Sequence, residues 1–287
     1  MPEVCKGLLM KTILITGATN GIGLEASVTL AREGHRVVMV GRDPAKTAKS
    51  VEEVKQRSGS TKVESLPCDF SVQASVRSMA EAFRAKYDRL DVLINNAGTV
   101  NKERTVTVDG IESTFAVNHL GYFLLTNLLL DLLVKSAPSR IVVVASTGHY
   151  RGTMNLDDLG FEKSGYSMIA AYSRSKLANV MMTRSLAKKL EGKGVTVNAL
   201  HPGGVATGIW DRGPAWTKPL AAVLKAVLLI TPEQGGKTLS YLATSPGVEG
   251  KTGLYFEKNK ARECAPLAKN EALVEALWVK SAGLVKL

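Results

Sequence analysis

A strand, a glycine turn and a helix follow one another without interruption near the start of the chain, and this order restricts the fold most. Residues 12–16 read Thr-Ile-Leu-Ile-Thr, a β-branched run typical of a buried parallel strand. Glycines follow with the spacing Gly-x3-Gly-x-Gly, and helical periodicity then continues as far as Gly34. Glycines let backbone N–H groups approach a pyrophosphate at the positive end of a helix, so this order predicts a dinucleotide-binding turn. The expected contacts are Gly17, Asn20, Gly21, Ile22 and Gly23.

Apolar runs alternate with helical patterns along most of the chain. The strand-like segments lie at 12–16, 36–40, 62–66, 91–94, 140–145, 195–200 and 253–256, and all except 62–66 are mainly apolar. Continuous apolar runs separated by helices are typical of a parallel sheet that is covered on both faces. We therefore predict an α/β fold with a Rossmann-type doubly wound sheet of about seven strands, helices on both faces, and a single domain over residues 1–287.

Small or polar residues stand at or just beyond the carboxyl ends of these strands, where ligands bind in open parallel sheets. The expected cofactor contacts there are Arg42, Asp69, Phe70, Asn95 and Ala97, with Ser146 after the fifth strand. An NAD site requires a carboxylate at the end of the second strand, but the chain has Gly41 and Arg42 there. A glycine leaves room for a 2′-phosphate and a guanidinium pairs with it, so we predict NADP(H) rather than NAD(H). In the alternative, Arg42 is a solvated turn residue and Asp43 contacts the ribose. Asp43 and Pro44 are also expected to begin the next helix, as its N-cap and first helical residue.

Tyr172 and Lys176 are four residues apart in a long helical pattern, a spacing that puts both side chains on one face. A phenol beside an ammonium is a candidate general acid/base. A unit charge about 5 Å away is worth about 3 kcal/mol at an effective dielectric near 20, which predicts a tyrosine pKa lowered from about 10 toward about 8. The alternative is an exposed helix face that carries the two residues by chance.

The charge and the cysteines argue against several other classes of protein. The formal net charge is +11, but the basic residues are dispersed and no nucleic-acid motif occurs, so we expect no nucleic-acid partner. The three cysteines are scattered, which argues against disulfides or zinc and favours a reducing, cytoplasmic location. His149 and His201 lack suitably spaced partners, so we expect structural roles for both and no metal site. The apolar piece within residues 1–11 is too short for a membrane span.

The last third of the chain departs from the alternating pattern. Residues 208–230 contain two tryptophans and then an apolar run, which we interpret as a substrate lid inserted within the domain, with weak membrane-surface contact as the lesser alternative. Thr231 begins a helix with a capping box. Residues 258–287 are expected to form a surface tail that ends in a short helix.

Several motifs occur in a fixed order, and together they resemble the short-chain dehydrogenase/reductase family over nearly the whole chain. The motifs are TGxxxGxG at 16–23, NNAG at 95–98, YxxxK at 172–176 and PGxVxT at 202–207. The catalytic Asn and Ser of that family are matched by Asn118 and Ser146. The sequence around Arg42, Ser146 and Tyr172 is similar to the retinol dehydrogenase and WW-domain oxidoreductase branch, which implies NADP(H) and a lipophilic substrate.

The resemblance implies a role for each matched residue. Tyr172 exchanges a proton with the carbonyl oxygen, Ser146 holds that oxygen, Lys176 lowers the pKa of Tyr172 and binds the nicotinamide ribose, and Asn118 anchors a water that relays protons. Asp69 and Asn95 would line the adenosine side, and Val205 and Thr207 would hold the carboxamide. The implied function is hydride transfer between NADP(H) and a lipophilic alcohol, aldehyde or ketone. The alternative is a catalytically silent NADP(H)-binding sensor or scaffold, and the family also implies a possible homodimer or homotetramer.

Overall fold

One twisted sheet organises the chain in the computed structural model, which describes residues 10–203 and 231–287. Its eight strands follow the order β3-β2-β1-β4-β5-β6-β7-β8; the first seven are parallel, and β8 pairs antiparallel with β7. The strands are β1 Thr12–Thr16, β2 Arg36–Gly41, β3 Val63–Pro67, β4 Val92–Asn95, β5 Ser139–Val144, β6 Val195–His201, β7 Tyr255–Glu257 and β8 Lys260–Arg262. The predicted doubly wound parallel sheet is confirmed, and one short antiparallel strand is added to it.

Helices cover both faces of this sheet. They are α1 Gly21–Arg32, α2 Pro44–Ser58, α3 Gln73–Lys86, α4 Ser113–Phe115, α5 Gly121–Leu128, α6 Leu130–Lys135, α7 Met168–Lys189, α8 Pro232–Thr244 and α9 Glu271–Leu284. Alternate residues of β1 enter different cores: Leu14 packs on the side of α3, α5, α7 and α9, whereas Ile13 and Ile15 pack on the side of α1, α2 and α8. The apolar runs are continuous because both faces of the sheet are buried.

The strand order reverses between β2 and β4, which both pair with β1. Such a switch point opens a crevice at the carboxyl ends of the strands, because the connections on its two sides turn away from each other. The glycine turn after β1 and the Asn-Asn-Ala-Gly segment after β4 therefore lie side by side at this crevice.

The single helix that periodicity suggests over residues 109–134 is broken in the structure. Glu112 caps α4 by accepting the N–H groups of Thr114 and Phe115, at 2.8 and 2.7 Å. A π-helical turn, Ala116–Leu120, then carries the chain into α5. A π-turn inserts one extra residue and often marks a functional site, but it leaves the hydrophobic period almost unchanged.

The predicted helix near the C-terminus is present, but the expectation that residues 258–287 form a surface tail is wrong. β8 extends the sheet, and α9 buries Val274, Leu277 and Ser281 against the protein. The rings of Phe123 and Trp278 meet edge to face with centroids 4.7 Å apart. α9 contacts α5 and α7, which are far from it in the chain, so its burial is not encoded by its own sequence alone.

The predicted start of α8 is confirmed: Thr231 and Gln234 form a reciprocal capping box. The predicted lid, residues 208–230, lies outside the described residues, and so do Val205 and Thr207. In the part of the chain that the structure describes, no helix has both the length and the apolar character needed to cross a membrane.

Candidate active site

The glycine turn forms a tight backbone cradle at the start of α1. Gly17 and Gly21 have φ angles of 64° and 53°, a region that favours glycine. A Cβ on Gly23 would lie 2.4 Å from the carbonyl oxygen of Gly17, so only glycine allows this close approach. The side chain of Asn20 makes no capping hydrogen bond to α1 among the described residues. The first N–H groups of the helix are therefore left for an anionic ligand, the arrangement that a pyrophosphate requires.

Asn96 joins this cradle to the end of β4, a role that the sequence analysis missed. Its Nδ2 donates to the carbonyl oxygens of Thr16 and Gly17, at 2.8 and 3.0 Å. In return, Thr16 Oγ1 accepts the N–H groups of Asn96 and Ala97, at 2.8 and 2.9 Å. Asn95, the predicted contact, is fully buried and donates from Nδ2 to Thr126 Oγ1 at 2.9 Å. The alternation of side chains along a strand could have distinguished Asn95 from Asn96, because consecutive residues of a strand point to opposite faces of the sheet.

Gly41 at the end of β2 has a different role from the one expected. A Cβ there would lie 2.3 Å from Thr47 Oγ1 and 2.4 Å from Thr19 Cγ2. The space beside Gly41 is thus occupied by two threonines rather than left open for a phosphate. Arg42 is exposed beside it. One carboxylate oxygen of Asp43 accepts the N–H of Lys46 at 3.0 Å, which confirms the predicted cap of α2.

Asp69 and Phe70 follow β3, and both side chains have partners within the protein. Asp69 Oδ1 accepts from the N–H and the hydroxyl of Ser71, at 2.9 and 2.7 Å. The ring of Phe70 is buried against Gly121, where a Cβ would lie 2.6 Å from Phe70 Cδ1. Because its ring is packed into the core, Phe70 has its main chain left for contact with a cofactor.

Lys176 and Asn118 lie next to each other below the crevice. A Cβ placed on Gly98 would be 3.4 Å from Asn118 Oδ1 and 3.9 Å from Lys176 Nζ. The lysine is buried and donates to the carbonyl oxygen of Val144, the last residue of β5, at 3.0 Å. Its Nζ is 5.6 Å from the centroid of the Tyr172 ring.

The side chain of Asn118 is fully used in holding the π-turn in place. Its Oδ1 accepts the N–H of Thr99 at 2.7 Å, and its Nδ2 donates to Thr99 O and Ser175 Oγ at 2.9 and 3.0 Å. The side chain therefore ties the π-turn to the segment after β4 and to α7. Its main-chain carbonyl accepts from Nδ2 of Asn179 on α7 at 2.9 Å.

Ser146 and Tyr172 form the other part of the cluster. The position of a Cβ on Gly148 is 3.5 Å from both Ser146 Oγ and Tyr172 Cε1, so the two side chains flank this glycine. Ser146 Oγ accepts the N–H of Gly148 at 3.1 Å and caps the short 3₁₀ helix Thr147–Arg151. A side-chain hydrogen bond between Tyr172 and Ser146 favours the ionised phenol.

The pKa values of the pair differ from the sequence expectation. Burial raises the pKa of Tyr172 above its ordinary value, and the hydrogen bond to Ser146 offsets only part of that rise. Burial also lowers the pKa of Lys176 to about 7, so the lysine is no longer permanently charged at neutral pH. The expected lowering of the Tyr172 pKa assumed a permanently charged lysine in a solvated environment. In the structure the pKa of Tyr172 is raised instead, because desolvation disfavours the charged form of both groups.

His149 holds the backbone of Ser146 in place. The imidazole is fully buried, and its Nδ1 lies 2.6 Å from the carbonyl oxygen of Ser146. Its Nε2 lies 3.2 Å from the backbone nitrogen of Ala265, an N–H donor. A carbonyl on one side and an N–H on the other require the neutral tautomer with its proton on Nδ1. Burial lowers the pKa of His149 and keeps it neutral.

Taken together, the switch-point crevice, the glycine cradle and the Ser-Tyr-Lys cluster define a Rossmann-type oxidoreductase of the nicotinamide-dependent kind. The comparison with known families is more specific. The family described as short chain dehydrogenase matches residues 11–218. The chain belongs to the short-chain dehydrogenase family.

Individual relatives agree with that assignment. The chain is 44% identical to retinol dehydrogenase 14 of Mus musculus, over 93% of this chain and 84% of the relative. It is 38% identical to retinol dehydrogenase 13 of Homo sapiens, over 96% and 85% of the two chains. Among solved structures, a blue fluorescent protein from a metagenomic library in complex with NADPH matches with a TM-score of 0.67 and 25% identity, over 86% of this chain and 95% of the other. These relatives support an oxidoreductase of the retinol dehydrogenase-like branch.

Proposed function

We propose that this protein transfers a hydride between NADP(H) and a lipophilic alcohol, aldehyde or ketone, with Tyr172 as the general acid/base. The observation that carries the proposal is the position of the Ser146–Tyr172–Lys176 cluster at the carboxyl edge of the sheet, beside the glycine cradle. The cradle supplies a place for the pyrophosphate, and the cluster supplies a proton and hydrogen-bond donors.

The fit of a dinucleotide rests on the cradle itself. Gly23 lies so close to the carbonyl of Gly17 that any side chain would disrupt the turn, and the side chain of Asn20 does not cap the first N–H groups of α1 among the described residues. When bound, the nicotinamide would supply the hydride. Arg42 is the proposed partner of a 2′-phosphate, because it is exposed at the end of β2 and Asp43 is already engaged in capping α2. The proposed carboxamide contacts remain Val205 and Thr207, as the family motif implies.

The protein's own groups have distinct proposed tasks. The raised pKa of Tyr172 keeps its phenol protonated at neutral pH, and this is the form that donates a proton to a carbonyl oxygen. The hydroxyl of Ser146 would donate to the same oxygen and stabilise the negative charge that develops on it. Lys176 is held by the carbonyl of Val144 at the floor of the site, and Asn118 is the proposed anchor of a water beside it.

A lipophilic substrate is supported by the relatives, which are named retinol dehydrogenases, and by the rim of the site. Ile169 is 58% exposed and lies three residues before Tyr172 on α7, so the two side chains share a face of the helix. An exposed isoleucine beside the proposed acid is suited to an apolar substrate.

A substrate panel tests this proposal: retinal, steroid ketones, aromatic ketones and medium-chain aldehydes, each with NADPH and with NADH. We expect NADPH oxidation with at least one lipophilic carbonyl and a higher kcat/KM for NADPH than for NADH. NADPH binding without turnover on the whole panel would favour the silent sensor or scaffold instead. Light scattering and cell fractionation test the accompanying predictions of a homodimer or homotetramer and of a cytoplasmic location.

A further inference from the structure

A second asparagine, Asn179 on α7, lies behind the part of the cluster formed by Asn118 and Lys176. Asn179 is fully buried, three residues after Lys176. Its Nδ2 donates to the main-chain carbonyl of Asn118 at 2.9 Å and to that of Val144 at 3.3 Å. The Val144 carbonyl is also the acceptor of Lys176 Nζ. One amide group thus joins the π-turn to the carbonyl that holds the lysine.

His119 fixes the orientation of this amide. Both N–H groups of Asn179 point at carbonyl oxygens, so its Oδ1 acts as an acceptor. His119 Nδ1, 3.2 Å from that oxygen, must then carry the proton, and Nε2 is left to accept from the hydroxyl of Ser281 at 3.0 Å. Burial lowers the pKa of His119 to about 4, so the imidazole is neutral at physiological pH. The contacts permit one tautomer and one amide orientation.

The π-turn directs the side chains of its neighbouring residues Asn118 and His119 toward two different helices. The side chain of Asn118 bonds Ser175 on α7, while its neighbour His119 reaches Ser281 on α9. Ser281 is fully buried. A continuous set of hydrogen bonds therefore runs from the C-terminal helix through His119 and Asn179 to the acceptor of the catalytic lysine.

We propose that Asn179 is a positioning residue for the hydride transfer proposed above, and that Ser281 of α9 completes its site through His119. Without the amide, the Asn118 carbonyl loses its partner and the π-turn loses one of its connections to β5. Lys176 would then have the Val144 carbonyl to itself, which favours its charged form and raises its pKa. Catalysis should suffer more than cofactor binding, because the amide lies behind the cluster and away from the glycine cradle.

The test compares Asn179→Leu with the control Thr183→Val. Thr183 lies one turn further along α7, is also buried, and donates to the carbonyl of Asn179 at 2.9 Å. For Asn179→Leu we expect kcat to fall about 10- to 100-fold while the KM for NADPH stays within about threefold, since small displacements of catalytic groups cost that much. Amide hydrogen exchange in a peptide covering 116–120 should accelerate, and the pH at which kcat is half-maximal should rise. Thr183→Val should leave all four quantities near the wild-type values.

The results distinguish a failure of the positioning role of Asn179 from a failure of the proposed function. Unchanged kcat and unchanged exchange in a folded Asn179→Leu protein would overturn the positioning role, as would an equal effect of Thr183→Val. If the wild type reduces no carbonyl, the proposed function fails, and exchange at 116–120 in the variants still decides the role of Asn179. If Asn179→Leu does not fold, Ser281→Ala on α9 takes its place: we expect faster exchange at 116–120 and about threefold lower kcat. Wild-type behaviour of Ser281→Ala would then overturn the proposal.

Discussion

The glycine cradle and the catalytic cluster lie on the same edge of the sheet, but different forces build them. The cradle is made of backbone: glycines that approach other main-chain atoms within van der Waals distance, joined to β4 by Asn96. The cluster is made of buried side chains whose protonation depends on desolvation and on carbonyls supplied by other elements. The backbone geometry of the cradle is determined by residues close together in the sequence, whereas the desolvation of a group depends on every element that packs around it.

The largest expected effect concerns the cluster. Tyr172→Phe removes the proposed acid and should lower kcat by about 10²- to 10⁴-fold, because positioned proton transfer is worth that much. NADPH binding, followed by fluorescence titration, should stay near the wild-type value. The matched control is Tyr150→Phe, which loses only an exposed hydroxyl that donates to the carbonyl of Glu263. Wild-type turnover in Tyr172→Phe would contradict the proposal that the cluster supplies the proton while the cradle binds the cofactor.

A substitution in the cradle should instead weaken the binding of NADPH. Gly23→Val places atoms where a Cβ is already 2.4 Å from the Gly17 carbonyl, so the turn must open. We expect NADPH to bind about 100-fold more weakly, since a displacement of about 1 Å costs that much, with a lower Tm from the forced shift of the backbone. Gly283→Ala on α9 is the control: among the described residues no atom outside the neighbouring turns of the helix lies within 4 Å of the added Cβ, so this change should be neutral or slightly stabilising. Equal NADPH affinity in Gly23→Val and wild type would contradict the assignment of the cradle.

Arg42→Ala tests cofactor choice at the edge of the cradle. Loss of a charge-assisted pair with a 2′-phosphate should lower kcat/KM for NADPH about tenfold and leave the value for NADH unchanged. Lys49→Ala, another exposed cation in the second turn of α2, should change neither value. A wild-type preference for NADH, or equal losses with both cofactors, would contradict the proposed role of Arg42.

The last prediction concerns stability rather than turnover, and it follows from Lys176. Its pKa is about 7 when folded and has its ordinary, higher value when unfolded, so the unfolded chain binds more protons between these limits. The free energy of unfolding should therefore rise as the pH increases through that window, by a few kcal/mol at most, and stay level below about pH 7. Lys176→Met should lose this rise, measured by urea unfolding at several pH values, whereas Lys189→Met, at a partly exposed position, should keep it. If the free energy of unfolding of the wild type depended on pH as little as that of Lys176→Met, the lowered pKa of Lys176 would be refuted.

The sequence predicted the parts of the molecule that local patterns encode. The strand and turn at 12–23 follow from β-branched residues and glycines, and the caps at Asp43 and Thr231 follow from side chains that bond their own helix. The π-turn at Ala116–Leu120 was missed because one extra residue hardly disturbs the hydrophobic period. The burial of α9 and the raised pKa of Tyr172 were missed because both depend on contacts between elements far apart in the chain.

A crystal structure with NADP⁺ bound tests the central claim most directly. We predict that the pyrophosphate lies on the N-terminus of α1 and that the hydroxyls of Tyr172 and Ser146 both face C4 of the nicotinamide, with room for one carbonyl group between them and the ring. A nicotinamide bound with its ring turned away from Tyr172, or a Tyr172 hydroxyl directed out of the crevice, would contradict the proposed mechanism.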